Sequence, residues 1–213
     1  MTLVFGSTDD VPELADIIER RHAFEQDVHD EWWEGTYRIM TGPTKRHGVA
    51  VARLAAFLLP LADQLGLEVS APLNIGLDKV DCRVPDIAVL RPDTPETSPA
   101  FYETAVLVVE VLSPREESRA KLGFYRIWGV NEYLEVDPQT NRIELLVLAD
   151  GGVWVGEAFS SLGFTLLNGR LVSAHGSLEL PVRPESKAEP PQRPPAQSWW
   201  HGDIAPEDEP GWA

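Results

Sequence analysis

Apolar positions recur along the chain with two different periods, and the changes of period mark out its elements. From Val11 to Phe24 the residues Val11, Leu14, Ile17, Ile18 and Phe24 keep a helical spacing, with Asp10 placed as a cap. A short amphipathic helix is predicted there. The next stretch sets Trp32 and Trp33 before Glu34-Gly35, then alternates through Tyr37 and Ile39 to the breaker pair Gly42-Pro43. This reads as a short strand or hairpin. From Thr44 to Leu65 an Ala- and Leu-rich run places Val51, Leu54, Leu58, Leu61 and Leu65 along one face, which predicts the first long core helix. Pro60 is expected to kink or shorten it, and Gly66 to cap it.

Beyond that cap, LEVSAPLNIGL and CRVPDIAVL flank a turn at 78–81 and predict a hairpin. Ala105 to Leu112 is apolar apart from one acid, as in a central strand covered on both faces. Residues 115–128 carry Leu122, Tyr125, Ile127 and Trp128 at helical spacing before Gly129, and NEYLEVDP supplies the next strand. Strand, helix and strand in that length form a crossover, so the two strands are predicted parallel. The fold class is α/β: helix, three strands, helix, strand. RIELLVLAD, GGVWVGEAF and GFTLLNGRLV add C-terminal strands, joined by glycine turns, that extend the sheet or wrap its edge.

At 213 residues, one domain with appendages is expected: a helical lead-in over 1–24, a core domain over 25–182 and a tail over 183–213. The tail is rich in proline and acids and too poor in aliphatic residues to offset the entropy of ordering. Trp199 and Trp200 are its one apolar feature. The single cysteine, Cys82, excludes an internal disulfide and a thiolate zinc site. No apolar run is expected to reach the roughly 18 to 20 residues of a membrane span, and the N-terminus lacks the pattern of a secretion signal. Cytoplasm is the expected location and no membrane partner is expected. The formal charge of −16 weighs against easy binding of a polyanion, which ordinarily draws on clustered Lys and Arg.

Chemistry is concentrated between Val84 and Pro138. Asp86 follows Pro85 at the start of one apolar run, and Glu110 interrupts another. A buried carboxylate without a partner is costly, so Glu110 calls for a cation or an ion pair. If the two runs are neighbours, Asp86 and Glu110 suit Mg²⁺, which takes a few oxygen ligands and keeps several waters. Lys121 follows on the predicted helix, placed to stabilise charge at a phosphoryl group, with Tyr125 one turn further on the same face.

Pro85-Asp86, Val109-Glu110-Val111-Leu112-Ser113-Pro114, Lys121 with Tyr125, Gly129-Val130-Asn131-Glu132-Tyr133 and Val136-Asp137-Pro138 together resemble the Uma-two family of restriction endonucleases. That family lies within the PD-(D/E)XK nuclease superfamily, and the resemblance covers roughly residues 25 to 170. It implies a restriction endonuclease-like fold. It also implies Asp86, Glu110 and the Val111 carbonyl as metal ligands and Lys121 as the catalytic lysine. The superfamily places its lysine two residues after the glutamate, where this chain has Leu112, so the amine is expected to come from the following helix. Glu34 is a candidate for a further acid near the metal. His47, beside Lys45 and Arg46, is a candidate for contact with phosphate or a metal-held water, against the plainer expectation of an exposed residue.

The function expected is therefore a Mg²⁺-dependent endonuclease, with Mn²⁺ as an alternative cofactor and nucleic acid, DNA ahead of RNA, as its partner. Basic patches at Lys45-Arg46 or Arg115-Arg119 would assist, and a homodimer is a further expectation. The alternatives are an inactive nuclease-fold protein serving as an interaction module, and a metal-dependent hydrolase of a smaller phosphoester.

Overall fold

In the computed structural model, which describes residues 3–4, 12–40, 42–113 and 118–180, two sheets share strands drawn from the same sequence runs. The elements in order are β1 (Leu3–Val4), α1 (Pro12–Ala23), β2 (Glu31–Trp33), β3 (Thr36–Ile39), α2 (Lys45–Leu65), β4 (Glu68–Ser70), β5 (Asn74–Leu77), β6 (Asp81–Arg83), β7 (Ile87–Leu90), β8 (Glu96–Ser98), β9 (Phe101–Tyr102) and β10 (Leu107–Val111). A 3₁₀ turn (Ser118–Lys121), α3 (Leu122–Ile127), β11 (Glu132–Asp137), β12 (Arg142–Ala149), β13 (Val153–Glu157), β14 (Thr165–Leu167), β15 (Arg170–Ser173) and β16 (Gly176–Leu178) follow. Asp10, Val11, Arg115 and the tail with Trp199 and Trp200 lie outside the described residues.

The central sheet has the order β13-β12-β11-β10-β7-β4. Its β10 and β11 strands are parallel, as the crossover requires, and its other pairs are antiparallel. Taken in chain order, α2, β4, β7, β10, α3 and β11 give the expected helix, three strands, helix, strand. β12 and β13 extend this sheet, while β14, β15 and β16 form a small sheet of their own.

The predicted hairpin is real but forked. Pro72 and Pro85 lack the N–H that a ladder needs, and each breaks its run into two strands. The outer parts, β4 and β7, pair in the central sheet. The inner parts, β5 and β6, pair in a second sheet of order β1-β3-β2-β6-β5-β9-β8. The chain thus passes from one sheet to the other at Val84-Pro85-Asp86. Gly76 in β5 (φ 115°) sits where a Cβ would collide with the Asp81 carbonyl and lie 2.9 Å from the Phe124 ring, so the second sheet lies tight against α3.

Helix α2 runs from its N-cap Thr44 through Pro60 to Leu65 and ends on Gly66 in the left-handed region. Proline neither ends nor shortens it. One lost backbone bond is outweighed by the buried stripe Leu54, Leu58, Leu61 and Ala62 on both sides of Pro60. Leu65, assigned to that stripe, is instead exposed, and His47 begins it. By length and composition α2 is apolar enough to cross a membrane, contrary to the reading of the sequence. Here its stripe packs on Ile87, Val89, Leu107, Val109, Leu134 and Val136 of the central sheet.

The opposite face of that sheet meets α3 through Ala88, Val108 and Tyr133, with Phe124, Tyr125 and Ile75 above them. Two residues along each strand, the same face becomes acidic. Glu110 pairs in register with Glu135, and Glu135 with Glu144. On the other side, Val109 pairs with Ile87, so the next step of that register sets Glu110 opposite Asp86. A transverse row of four carboxylates therefore lies beside a transverse apolar row.

Candidate active site

Asp86 lies one residue before β7, and the antiparallel register of β7 and β10, carried one step further, sets it opposite Glu110. Such neighbours stand about 5 Å apart at Cβ. Asp86 is fixed at both oxygens: Oδ2 accepts the Val111 N–H at 2.7 Å, and Oδ1 lies 2.8 Å from His47 Nε2. His47 Nδ1 in turn lies 3.4 Å from Ser113 Oγ. The first turn of α2, which carries Lys45 and Arg46 and no acid, is thereby brought against the site.

Glu110 is buried and receives the Lys121 ammonium at 3.0 Å on Oε1 and 3.1 Å on Oε2. The Tyr125 hydroxyl donates to Oε1 at 2.6 Å. Lys121 sits on the 3₁₀ turn, one residue before α3, rather than within an α-helix, and Tyr125 follows one turn later. Burial first, then the nearby Glu110 and Glu31 carboxylates, hold the Tyr125 phenol well above its ordinary range. It therefore stays protonated at neutral pH and acts as a donor to Glu110, not as a base.

The structure adds an acid that the sequence reading missed. Glu31, at the start of β2, is 1% exposed. Its Oε1 lies 2.9 Å from Lys121 Nζ and accepts the Val84 N–H at 2.9 Å. Its Oε2 accepts the Trp33 indole N–H at 2.7 Å. Glu34, the candidate further acid, lies instead in the exposed turn between β2 and β3 with φ 50°, its backbone N–H donating to Asp81. The two are three residues apart, Glu31 at the start of β2 and Glu34 in the turn that follows it. His47 is likewise a buried residue on Asp86, not an exposed one.

Trp32 and Trp33 are half-buried. The Trp33 ring carries the Arg38 guanidinium at 3.6 Å and that of Arg83 at 4.1 Å. Stacking of this kind occupies the ring, so Trp33 supports the Glu31 corner instead of offering a platform for bases. Cys82 is buried beside this corner, where desolvation pushes its thiol up to about 12 and leaves it inert as a nucleophile.

Among the described residues, no three His, Cys, Asp or Glu side chains converge as a preformed metal cage. Mg²⁺ demands less, since it binds through one or two carboxylates and retains waters. Asp86 and Glu110 are the residue types that such an ion takes. With Glu31, two glutamates share one ammonium at the junction, and His47 stands on Asp86.

A model of the Uma2 family, described as "Putative restriction endonuclease", matches residues 12–176. An uncharacterized protein of Synechocystis sp. is 29% identical over 131 residues, which cover 59% of this chain and 69% of that protein. The crystal structure of a "putative nuclease belonging to DUF820" from Anabaena variabilis aligns with a TM-score of 0.49 at 16% identity, covering 61% of this chain and 77% of the other.

Proposed function

The chain belongs to the Uma2 family, and on that premise we propose that it is a Mg²⁺-dependent endonuclease that hydrolyses phosphodiester bonds of nucleic acid, DNA first. The observation that carries this reading is the Lys121 ammonium on both oxygens of Glu110, one strand from Asp86. In this reading the turn before α3 supplies the lysine that is missing two residues after the glutamate.

In this reading Asp86, Glu110 and the Val111 carbonyl hold the cation. Bound there, Mg²⁺ supplies polarisation of the scissile phosphoryl group and a lowered pKa for an attacking water. Lys121 stabilises charge that develops on the phosphoryl oxygens. Tyr125 and His47 hold the two carboxylates in place, and the Val111 N–H fixes the second Asp86 oxygen. Lys45 and Arg46, with the positive end of the α2 dipole, supply local attraction for phosphate on an otherwise acidic chain.

The test is cleavage of DNA and RNA by the purified protein with Mg²⁺, with Mn²⁺ and with chelator, beside Glu110→Gln and Lys121→Ala. Metal-dependent cleavage lost in both variants is the expected result. Equal traces for wild type and variants on every nucleic acid would end the enzyme reading and leave the interaction-module alternative.

A further inference from the structure

We infer that Glu31 is a positioning residue that keeps hold of the Lys121 ammonium when a divalent cation takes Glu110, an inference that rests on the metal-dependent reading above. Lys121 now engages both oxygens of Glu110 and one of Glu31. A cation arriving on Glu110 draws on the same oxygens and repels the ammonium at short range. The ammonium must yield part of Glu110, and, being buried, it needs another carboxylate to turn to.

Glu31 is built for that purpose. It belongs to a different sheet from Glu110 and has no place in the facing Asp86 and Glu110 pair. The Val84 N–H and the Trp33 indole fix its carboxylate, and Arg38 and Arg83 stack on that indole. Such a group receives the ammonium without moving. It leaves Lys121 beside the cation and beside the phosphate, rather than in competition for the metal ligand. Without the Glu31 charge, the ammonium falls back on Glu110 and opposes metal entry.

The experiment measures binding of Mn²⁺ alone to the full chain by electron paramagnetic resonance, with no substrate present. Glu31→Gln is expected to raise the Mn²⁺ Kd about tenfold, while the same change made on Lys121→Gln alters it by less than about twofold, because the coupling runs through the ammonium. Glu31→Asp, which keeps the charge, is expected to stay much closer to wild type than Glu31→Gln. This comparison stands even if the Lys121 variants do not fold. Equal weakening by Glu31→Gln in both backgrounds, or equal losses for Asp and Gln, would overturn the inference and leave Glu31 as a ligand or a structural strut. Absence of Mn²⁺ binding by wild-type protein at millimolar concentration would instead overturn the metal-dependent reading itself.

Discussion

Glu110 and Glu135 are register partners on adjacent parallel strands, equally buried and on the same face of the sheet, yet they live in different electrostatic settings. Glu135 accepts the Ser118 hydroxyl at 3.0 Å and is answered by Arg119 and Arg142, whose side chains are 48% and 54% exposed and also bind Glu144. Two carboxylates meet two guanidiniums at the surface, and the charges balance. Glu110 shares with Glu31 one lysine that is 3% exposed, and Asp86 stands beside it. At that end of the row two glutamates meet on one ammonium, and His47 stands on Asp86. The same residue type in the same row thus belongs to a surface ion-pair network at one end and to a buried lysine-centred cluster, the site of the proposed cation, at the sheet junction.

The largest expected effect separates the two glutamates by activity. Glu110→Gln should lower nuclease turnover by about a thousandfold or more, since it removes both the proposed metal ligand and the lysine's anchor. Glu135→Gln should leave turnover within about tenfold of wild type, and a loss there as large as at Glu110 would erase the distinction. Stability should order them differently. Glu135→Ala leaves Arg119 and Arg142 able to turn to water, so a cost of about 1 to 3 kcal/mol in urea unfolding is expected, below the range for breaking a fully buried pair.

Tyr125→Phe sharpens the Glu110 side, because it removes one hydrogen bond to a charged acceptor without emptying the core. About 1.5 to 3 kcal/mol of stability should be lost by the same assay, with a smaller fall in turnover than Lys121→Ala gives. The phenol is held well above its usual range, so no ionisation of Tyr125 should appear in the ultraviolet spectrum of the folded protein up to about pH 10.

The smallest effect concerns Asp137, which closes the turn between β11 and β12 and so holds the register of Glu135 with Glu144. Partial burial raises its carboxyl, but bonds from the Thr140 side chain and the backbone of Gln139 and Thr140, with Arg142 nearby, outweigh that and leave it below its usual value. A depressed folded-state pKa contributes stability above about pH 4 that is lost as pH falls through the folded value. Asp137→Asn should therefore show a shallower fall of Tm on acidification than wild type. An unchanged slope would mean that the turn does not couple to folding.

Much of this architecture was legible because it rests on local rules. Apolar spacing marked α2, Gly66 marked its end, and the unbroken run around Glu110 marked a central strand. His47 was legible in retrospect as well. It lies on the stripe that continues through Ala50, Leu54 and Leu58, so helical periodicity pointed it inward. The forked hairpin carried a signal too, in Pro72 and Pro85, but two prolines announce breaks without saying that the halves enter different sheets.

Glu31 carried no such signal. Short strands of three residues give too little alternation to fix a face, and Glu34 beside a glycine looked equally suitable. Its role arises because β2 pairs with β6 far along the chain, which carries its carboxylate to the Val84 amide and the Lys121 ammonium. The sequence by itself marked Asp86 and Glu110 as acids set in apolar runs, through periodicity and the cost of burying charge, while Lys121 stood out through its place in the string that resembles the family. Only the tertiary structure decided that the lysine stands between two glutamates of different sheets, because that depends on where two sheets part, and no local pattern encodes it.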